Sequence, residues 1–245
     1  MTFHRIVFLE SMTNSELKYK LNSNSPVIAP SMLKCDFGNL HREIELLEDA
    51  GAQVLHWDVM DGHFVPNLSY GALLIERVRS LTSMAFDAHL MISHPEKYID
   101  DYIKAGCNSI TVHIEAVPDP GDILKHLNQS GVIPGLAISP ETPLSAVEPY
   151  LDQAGLVLIM SVEPGFGGQS FIESSIEKIK QLKSMIPADT ILSVDGGIAM
   201  DTIAETAGAG ANYFVVGSAI FDQADYSTAV SELAAKAGSK TASST

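Results

Sequence analysis

The chain has 245 residues, 46% of them hydrophobic, and 30 Asp and Glu against 15 Lys and Arg give a net charge of −15. This length and apolar content predict one large domain, or two small ones, with a sizeable core. The acidic balance argues against binding the phosphate backbone of nucleic acid, and a small anionic substrate would need local donors. Cys35 and Cys107 form no metal-binding or disulfide pattern, which is typical of a reducing cytosol. No apolar run approaches the roughly 20 residues that cross a bilayer.

Both ends of the chain are predicted to lie outside the fold. Residues 1–25 are expected to be an N-terminal extension, with organelle targeting as a minor alternative, and residues 238–245 a flexible Ser/Thr-rich tail. Between them, residues 26–237 contain β-rich runs that alternate with helical apolar spacing. The predicted strands are 27–29, 53–57, 85–88, 109–112, 133–137, 156–160, 190–194 and 213–216.

The segments between these strands have the apolar spacing of helices, as at Leu40, Ile44 and Leu47. Alternation of this kind predicts parallel strands joined by right-handed crossovers. Eight such units that close on themselves predict an α/β protein with a single (β/α)₈ TIM barrel as its catalytic domain. A doubly wound open sheet competes, but no dinucleotide-type glycine fingerprint follows the first strand. Glycines are expected to close helices at Gly51, Gly106, Gly131 and Gly155.

Chemically active side chains stand where three predicted strands end. His56 and Asp58 are two residues apart, so both side chains project to the same face of a strand. His89 and Asp195 end two further strands, and such ends meet over the axis of a barrel. Two imidazoles and two carboxylates suit Zn, Mn, Fe or Co, although each residue alone could be a capping residue. His113, ending the fourth strand, either lines the pocket or is a satisfied strand-end histidine.

Asp58 and Asp195 suggest a specific reaction. If they reach one metal from the second and seventh strands, they can place a carboxylate on each face of a flat substrate, which suits proton removal on one face and return on the other. A divalent metal would stabilise the enediolate that forms next to a carbonyl. If both aspartates were only ligands, metal-assisted hydrolysis would be the alternative.

Glycine-rich loops follow the sixth, seventh and eighth strands. Backbone NH groups in such loops can bind a phosphate without Lys or Arg, and a helix beginning near Ser170 would add positive potential. A simple tight turn is the alternative for each loop taken alone. The predicted phosphate-binding residues are Gly165, Phe166, Gly167, Gly168, Gly196, Gly197, Gly217 and Ser218.

Other residues near the strand ends are ambiguous. Ser31 follows the first strand and is expected to face the pocket. Met60, Met91 and Met160 are either core residues or a soft lid over a planar intermediate. Lys34 is either a phosphate contact or a surface lysine.

Eight motifs lie at or beside the predicted strand ends. They are IAPSML at 28–33, HWDVMDGHFVPN at 56–67, DAHLM at 87–91, VHIEA at 112–116, GLAI at 135–138, VEPGFGGQ at 162–169, VDGG at 194–197 and VGSAI at 216–220. In identity and order, over about residues 26–235, they resemble the ribulose-phosphate 3-epimerase family.

The resemblance implies that the fold is a ribulose-phosphate-binding barrel. It also implies that the protein is an isomerase of the pentose phosphate pathway or reductive pentose cycle. Such an enzyme interconverts D-ribulose 5-phosphate and D-xylulose 5-phosphate by two-base proton transfer at C3 through a metal-stabilised enediolate. The family pattern assigns acid/base roles to Asp58 and Asp195, and one divalent metal, with zinc the first expectation and Fe, Mn or Co as alternatives. The implied metal ligands are His56, Asp58, His89 and Asp195, and the implied substrate contacts are Ser31, Met60, His89, Met91 and Met160.

The chain departs from the family pattern at few positions. Lys34 and Cys35 stand where small residues are usual, Trp57 separates two ligands, and Ser193 precedes the Val-Asp of the seventh strand. Trp57 and Ser193 are expected to face outward by alternation.

Three other functions compete with this one. They are 3-epimerisation of a longer ketose phosphate such as allulose 6-phosphate, phosphosugar binding without catalysis, and a metal-dependent aldolase or decarboxylase. The last usually needs a lysine electrophile or extra cation at a strand end, and none is found there. We expect a small ketose phosphate as the partner, neither nucleic acid nor membrane, a homo-oligomeric state and a cytoplasmic location.

Overall fold

Short apolar runs form eight parallel strands in the computed structural model, which describes residues 13–239. The strands are β1 (Val27–Pro30), β2 (Val54–Met60), β3 (Ala85–Met91), β4 (Ser109–His113), β5 (Ile133–Ile138), β6 (Leu156–Met160), β7 (Ile191–Asp195) and β8 (Tyr213–Val216). They pair in the order β1-β8-β7-β6-β5-β4-β3-β2, and a parallel bridge between Ser31 and His56 joins β1 to β2. The predicted single (β/α)₈ TIM barrel is confirmed.

Helices surround the barrel and connect its strands. Leu40 begins a helix that buries Ile44 and Leu47 against the core, as their spacing predicts. Gly51 follows this helix with a φ of 79°, a left-handed conformation that stops the helix at little cost for glycine. The helices are α1 (Asn14–Ser23), α2 (Leu40–Asp49), α3 (Ala72–Val78), α4 (Ile99–Lys104), α5 (Gly121–Gln129), α6 (Ser175–Met185), α7 (Ile203–Gly208), α8 (Ser218–Phe221) and α9 (Tyr226–Gly238).

The connection between β5 and β6 differs from the prediction. It contains two short 3₁₀ turns, Leu144–Ala146 and Glu148–Tyr150, so Gly155 does not close an α-helix there. This segment contains three prolines, Pro140, Pro143 and Pro149. Proline has no backbone N–H to donate to a helical hydrogen bond, which explains why the apolar spacing was misleading.

Alternation along the strands divides the apolar core into two layers. Trp57 faces outward as expected and is fully buried, with its ring edge-on to Tyr70 and Phe86. The expectation for Ser193 was wrong. Ser193 lies two residues before Asp195, and side chains at that spacing point to the same face, so Ser193 is buried inside the barrel.

Helix α1 packs against the floor of the barrel. Leu21 is only 5% exposed and belongs to the same apolar cluster as the inward-facing Val27 and Ile191. Lys18 pairs with Asp189, and Asn22 donates a hydrogen bond to the Asp189 carbonyl. The described part of the predicted extension is therefore joined to the barrel, although the boundary at residue 25 stays a prediction.

The structure describes the two ends of the chain only in part. Residues 1–12 and 240–245 lie outside the described residues, so the prediction of a flexible tail over 238–245 is untested beyond residue 239. Within residues 13–239, no helix combines the length and the apolar character needed to cross a membrane.

We predict that Leu21→Ala destabilises the protein by about 2–4 kcal/mol, because it leaves a cavity under the barrel. Tyr19 lies on the same helix and is 76% exposed, so Tyr19→Ala should change stability by no more than about 0.5 kcal/mol. Urea unfolding followed by circular dichroism measures both values. Equal, small effects of the two substitutions would show that α1 does not contribute to the barrel's stability.

Candidate active site and metal centre

Four side chains that the sequence placed at strand ends converge inside the barrel. Strands β2 and β3 are longer than predicted, so only Asp195 lies at the last residue of its strand. His56 and Asp58 come from β2, His89 from β3 and Asp195 from β7. One ligand-type atom from each residue lies within 4.8 Å of those from the other three. Asp58 Oδ1 is 3.3 Å from both His56 Nε2 and His89 Nδ1, and Asp195 Oδ2 is 3.5 Å from His89 Nδ1. The structure thus brings together all four residues that the sequence suggested as ligands.

His56 is oriented by a buried carboxylate. Its Nδ1 lies 2.8 Å from Asp87 Oδ2, and Asp87 also accepts hydrogen bonds from Ser109 Oγ and Tyr213 OH. Because an ionised carboxylate only accepts, His56 must donate from Nδ1. In the neutral ring the lone pair then lies on Nε2, which is buried and has no hydrogen-bond partner among the described residues.

His89 is oriented through a second histidine. Its Nε2 lies 2.8 Å from His113 Nε2, and His113 Nδ1 lies 3.0 Å from Glu115 Oε2. Burial lowers the pKa of His113 to about 4. Burial raises the pKa of Glu115, but its hydrogen bond with His113 and others to Thr142 and Ser139 outweigh burial and lower it to about 2. His113 is thus neutral near pH 7. It donates to the Glu115 carboxylate from Nδ1 and accepts from His89, whose Nδ1 is left facing Asp58 and Asp195.

Burial and charge oppose each other in this cluster. Burial lowers the pKa of His56, but Asp58 and Asp87 outweigh burial and hold that pKa well above its ordinary value. Burial likewise raises the pKa of Asp58, but the two histidines hold it well below the usual range. Without a metal ion, the histidine protons compensate the carboxylates, and a bound cation would take their place.

The residues fit a divalent metal ion. Two neutral imidazoles and two carboxylates carry a net charge of −2, which one divalent cation balances. The Nε2 of His56, which makes no hydrogen bond within the described residues, and the inward-facing Nδ1 of His89 offer the lone pairs that such an ion needs. The cluster could therefore hold one ion, and its mixed N/O donors suit Zn, Fe, Mn or Co.

A cavity of about 520 Å³ adjoins the cluster. Asp58 and Asp195 line it, and Asp195 is the more exposed, with 16% of its side chain accessible against 5% for Asp58. Ser31 Oγ donates a 2.5 Å hydrogen bond to Asp58 Oδ2. The two oxygens of Asp58 are therefore in different settings, one beside the histidines and one held by Ser31.

Three methionines form part of the same cavity wall. Met60 and Met91 are buried with Val65, and Met160 ends the inner face of β6. All three line the cavity. The structure thus places them at the pocket, while their contact with a substrate stays a prediction.

The glycine-rich loops meet on one side of the cavity. Gly197 has a φ of 63°, and a Cβ there would lie 2.7 Å from the Phe171 backbone nitrogen, so the loop accepts only glycine at this position. Asn67 Nδ2 donates to the Gly165 carbonyl and ties the loop after β2 to the loop after β6. The cavity is lined by all the predicted phosphate-binding residues: Gly165, Phe166, Gly167, Gly168, Gly196, Gly197, Gly217 and Ser218.

The helix expected near Ser170 begins later. Helix α6 starts at Ser175, because Ile172 donates its backbone N–H to the Ser161 carbonyl and holds this part of the loop against β6. Positive potential from that helix end therefore does not act directly at the glycine-rich loop. The backbone groups of the loops remain as the donors.

Comparison with known proteins decides the family. The sequence profile described as the ribulose-phosphate 3 epimerase family matches residues 27–221. The chain belongs to the ribulose-phosphate 3-epimerase family. The resemblance seen in the motifs is thereby confirmed.

Named relatives of this epimerase family agree with that placement. A Bacillus subtilis protein named ribulose-phosphate 3-epimerase is 43% identical over 210 residues, which span 84% of this chain and 97% of that protein. An Arabidopsis thaliana protein named ribulose-5-phosphate-3-epimerase, chloroplastic, is 40% identical over 216 residues, covering 86% of this chain and 77% of its own. A solved Mycobacterium tuberculosis tryptophan synthase structure matches with a TM-score of 0.66 at 14% identity, over 93% of this chain and 99% of that one, and shows the fold alone.

Sequence analysis gave no role to Asp87, Glu115 or Tyr213, which lie behind the ligands. Of its two alternatives for His113, the structure favours the satisfied strand-end histidine, because His113 is fully buried between His89 and Glu115. Asp87 lies two residues before His89 on the same face of β3, so that spacing could have identified it as a buried carboxylate needing partners. His113 and Glu115 show the same spacing at the end of β4. Tyr213 is contributed by β8, and no local pattern reveals that its hydroxyl reaches Asp87.

We predict that His56→Ala and His89→Ala each weaken divalent-metal binding more than the roughly 10- to 100-fold typical of losing a group that only supports a ligand. His94 is a matched control, since its side chain is 63% exposed and lies outside the cluster. Metal content of purified protein after incubation with Zn²⁺, Mn²⁺ or Co²⁺ and gel filtration measures the effect. Metal retention by both variants at the level of His94→Ala would contradict the ligand assignment.

Proposed function

We propose that the protein interconverts D-ribulose 5-phosphate and D-xylulose 5-phosphate by moving the proton at C3. Two carboxylates, on β2 and β7, line one cavity and belong to the cluster that could hold a metal, and this observation carries the proposal. Membership of the ribulose-phosphate 3-epimerase family and the names of its relatives support it.

His56, Asp58, His89 and Asp195 would hold one divalent ion, and we propose zinc first, with Fe, Mn or Co as alternatives. When bound, the ion would offset negative charge developing on the substrate oxygens next to C3. Asp87 and the His113–Glu115 pair would fix which nitrogen of each histidine faces the centre.

Asp58 and Asp195 would act as base and acid in turn. One carboxylate takes the C3 proton from one face of the substrate, and the other, in its acid form, gives a proton to the opposite face. After one turnover the proton sits on the aspartate that began as the base, so the reverse reaction can start at once. The Ser31 hydrogen bond holds Asp58 Oδ2, and the methionines Met60, Met91 and Met160 would cover the flat intermediate.

The glycine-rich loops would bind the substrate phosphate. Their backbone N–H groups can approach an anion closely because no side chain intervenes. Binding energy from this remote group would hold C3 between the two aspartates. Unphosphorylated ribulose should accordingly be a very poor substrate.

Replacing Asp58 or Asp195 with Asn is expected to lower kcat by about 10² to 10⁴ or more, because each removes a proton-transfer group. Asp201→Asn is the control, since Asp201 lines the same cavity and the substitution changes the charge equally. It should keep most of its kcat. Turnover of each single variant above half the wild-type rate would sink the two-base assignment.

The same variants in D₂O give a sharper readout. A variant that retains one aspartate and its metal should still exchange the C3 hydrogen of one epimer with solvent while forming little of the other epimer. Metal content measured on the same samples separates loss of a base from loss of a ligand. Epimerisation as fast as exchange in both variants would contradict transfer between two faces.

Gly217→Val should raise KM for the ketose phosphate far more than it changes metal content, since the new side chain would occupy the space of the anion. This position suits the test because a Cβ would meet only the flexible Lys34 side chain, at 3.1 Å. Gly71→Val is the control, as Gly71 lies outside the cavity and a Cβ there meets nothing within 4 Å. Comparable kcat/KM values for ribulose 5-phosphate and unphosphorylated ribulose would contradict the proposal that these loops bind the substrate phosphate.

Chain length of the ketose is tested in the same assay. Five- and six-carbon ketose phosphates measured side by side decide between the pentose substrate and a longer one such as allulose 6-phosphate. A homo-oligomeric state and a cytoplasmic location stay predictions, and gel filtration with light scattering tests the first.

A further inference from the structure

The cavity is strongly acidic for a site that would receive a phosphate. Glu173 and Asp201 line it in addition to Asp58 and Asp195, and the protein carries a net charge of −15. A metal ion would balance Asp58 and Asp195 but neither of the other two. Backbone dipoles would have to bind a dianionic group against that field, so a cation at the mouth of the cavity would matter.

Lys34 is the one lysine or arginine among the described residues that line this cavity. It lies three residues after Ser31, at the end of a short 3₁₀ turn that follows β1. Its side chain is exposed, and no hydrogen bond or ion pair of its ammonium group occurs within residues 13–239. Among these residues the charge is therefore not committed to a carboxylate.

The aliphatic part of Lys34 crosses two of the glycine-rich loops. Its Cγ lies 3.1 Å from where a Cβ of Gly217 would be, and its Cδ lies 3.5 Å from where a Cβ of Gly167 would be. The side chain therefore runs from the loop after β8 toward the loop after β6. Both glycines leave space for it, and its path follows the edge of the proposed phosphate site.

We propose that Lys34 is a substrate-binding residue that supplies the positive charge for the phosphate group. This inference rests on the phosphate site of the proposed function. The backbone groups of the glycine-rich loops fix the position of the phosphate, and the ammonium group offsets the repulsion from Glu173 and Asp201. Lys34 takes no part in proton transfer, so its effect falls on binding.

The test compares Lys34→Met, which keeps an apolar stem, with Lys34→Arg, which keeps the charge. Lys104→Met is the matched control, because it makes the same change in net charge at an exposed position at the end of α4, outside the cavity. Lys34→Met should raise KM for ribulose 5-phosphate about tenfold while kcat changes far less, as expected for one charged hydrogen bond at a solvent-accessible site. Lys34→Arg should stay close to wild type, and added NaCl should shrink the difference between Lys34→Met and wild type.

Inorganic phosphate separates this inference from the proposed function. Its dissociation constant, measured by calorimetry, should rise about tenfold in Lys34→Met and not in Lys104→Met. If the wild-type protein bound phosphate in this Lys34-dependent way but turned over no ketose phosphate, the proposed reaction would fail and the role of Lys34 would stand. An unchanged KM and an unchanged phosphate affinity in Lys34→Met, in a protein with wild-type circular dichroism, would overturn the role of Lys34.

Discussion

Two carboxylates and two imidazoles share one buried space in this barrel, and much of the surrounding structure follows from the need to compensate their charge. An unpaired buried carboxylate is costly, so each of these groups has partners. Ser31 holds Asp58, Asp87 holds His56, and the His113–Glu115 pair holds His89. Each partner lies on or next to a strand that neighbours the strand of the group it contacts. The partners of the two histidines turn the ring lone pairs toward a common point. Rigid orientation of this kind is what a metal centre requires.

The features that follow local rules could be predicted from the sequence. Period-two alternation placed His56 and Asp58 on one face, and the strand ends identified His89 and Asp195 as their neighbours. The features that depend on contacts between distant strands could not be predicted. Tyr213 reaches Asp87 across the barrel interior, and the loop after β6 stays extended because Ile172 bonds to Ser161. Ser193 was wrongly predicted to face outward, although its two-residue spacing from Asp195 puts both side chains on the same face of β7.

Opposite electrostatic demands meet within one cavity. In the proposed reaction, proton transfer needs carboxylates beside the reacting carbon, whereas a phosphorylated substrate is repelled by them. The barrel separates the two demands in space, with Asp58 and Asp195 on β2 and β7 and glycine backbone in the loops after β6 to β8. The separation is incomplete, because Glu173 and Asp201 lie in two of these loops. Glycine serves this purpose because it adds donors without bringing any side chain near the anion.

Helix α1 has a consequence for the order in which the chain can fold. It is synthesised before the barrel strands, yet Asn22 bonds with Asp189 and Asn212, and β1 pairs with β8, both from the last third of this sequence. Helix α1 and strand β1 can therefore make these contacts only after the last strands have been synthesised. Contacts so far apart in sequence close slowly, so we expect closure of the barrel and packing of α1 on its floor to come late in folding.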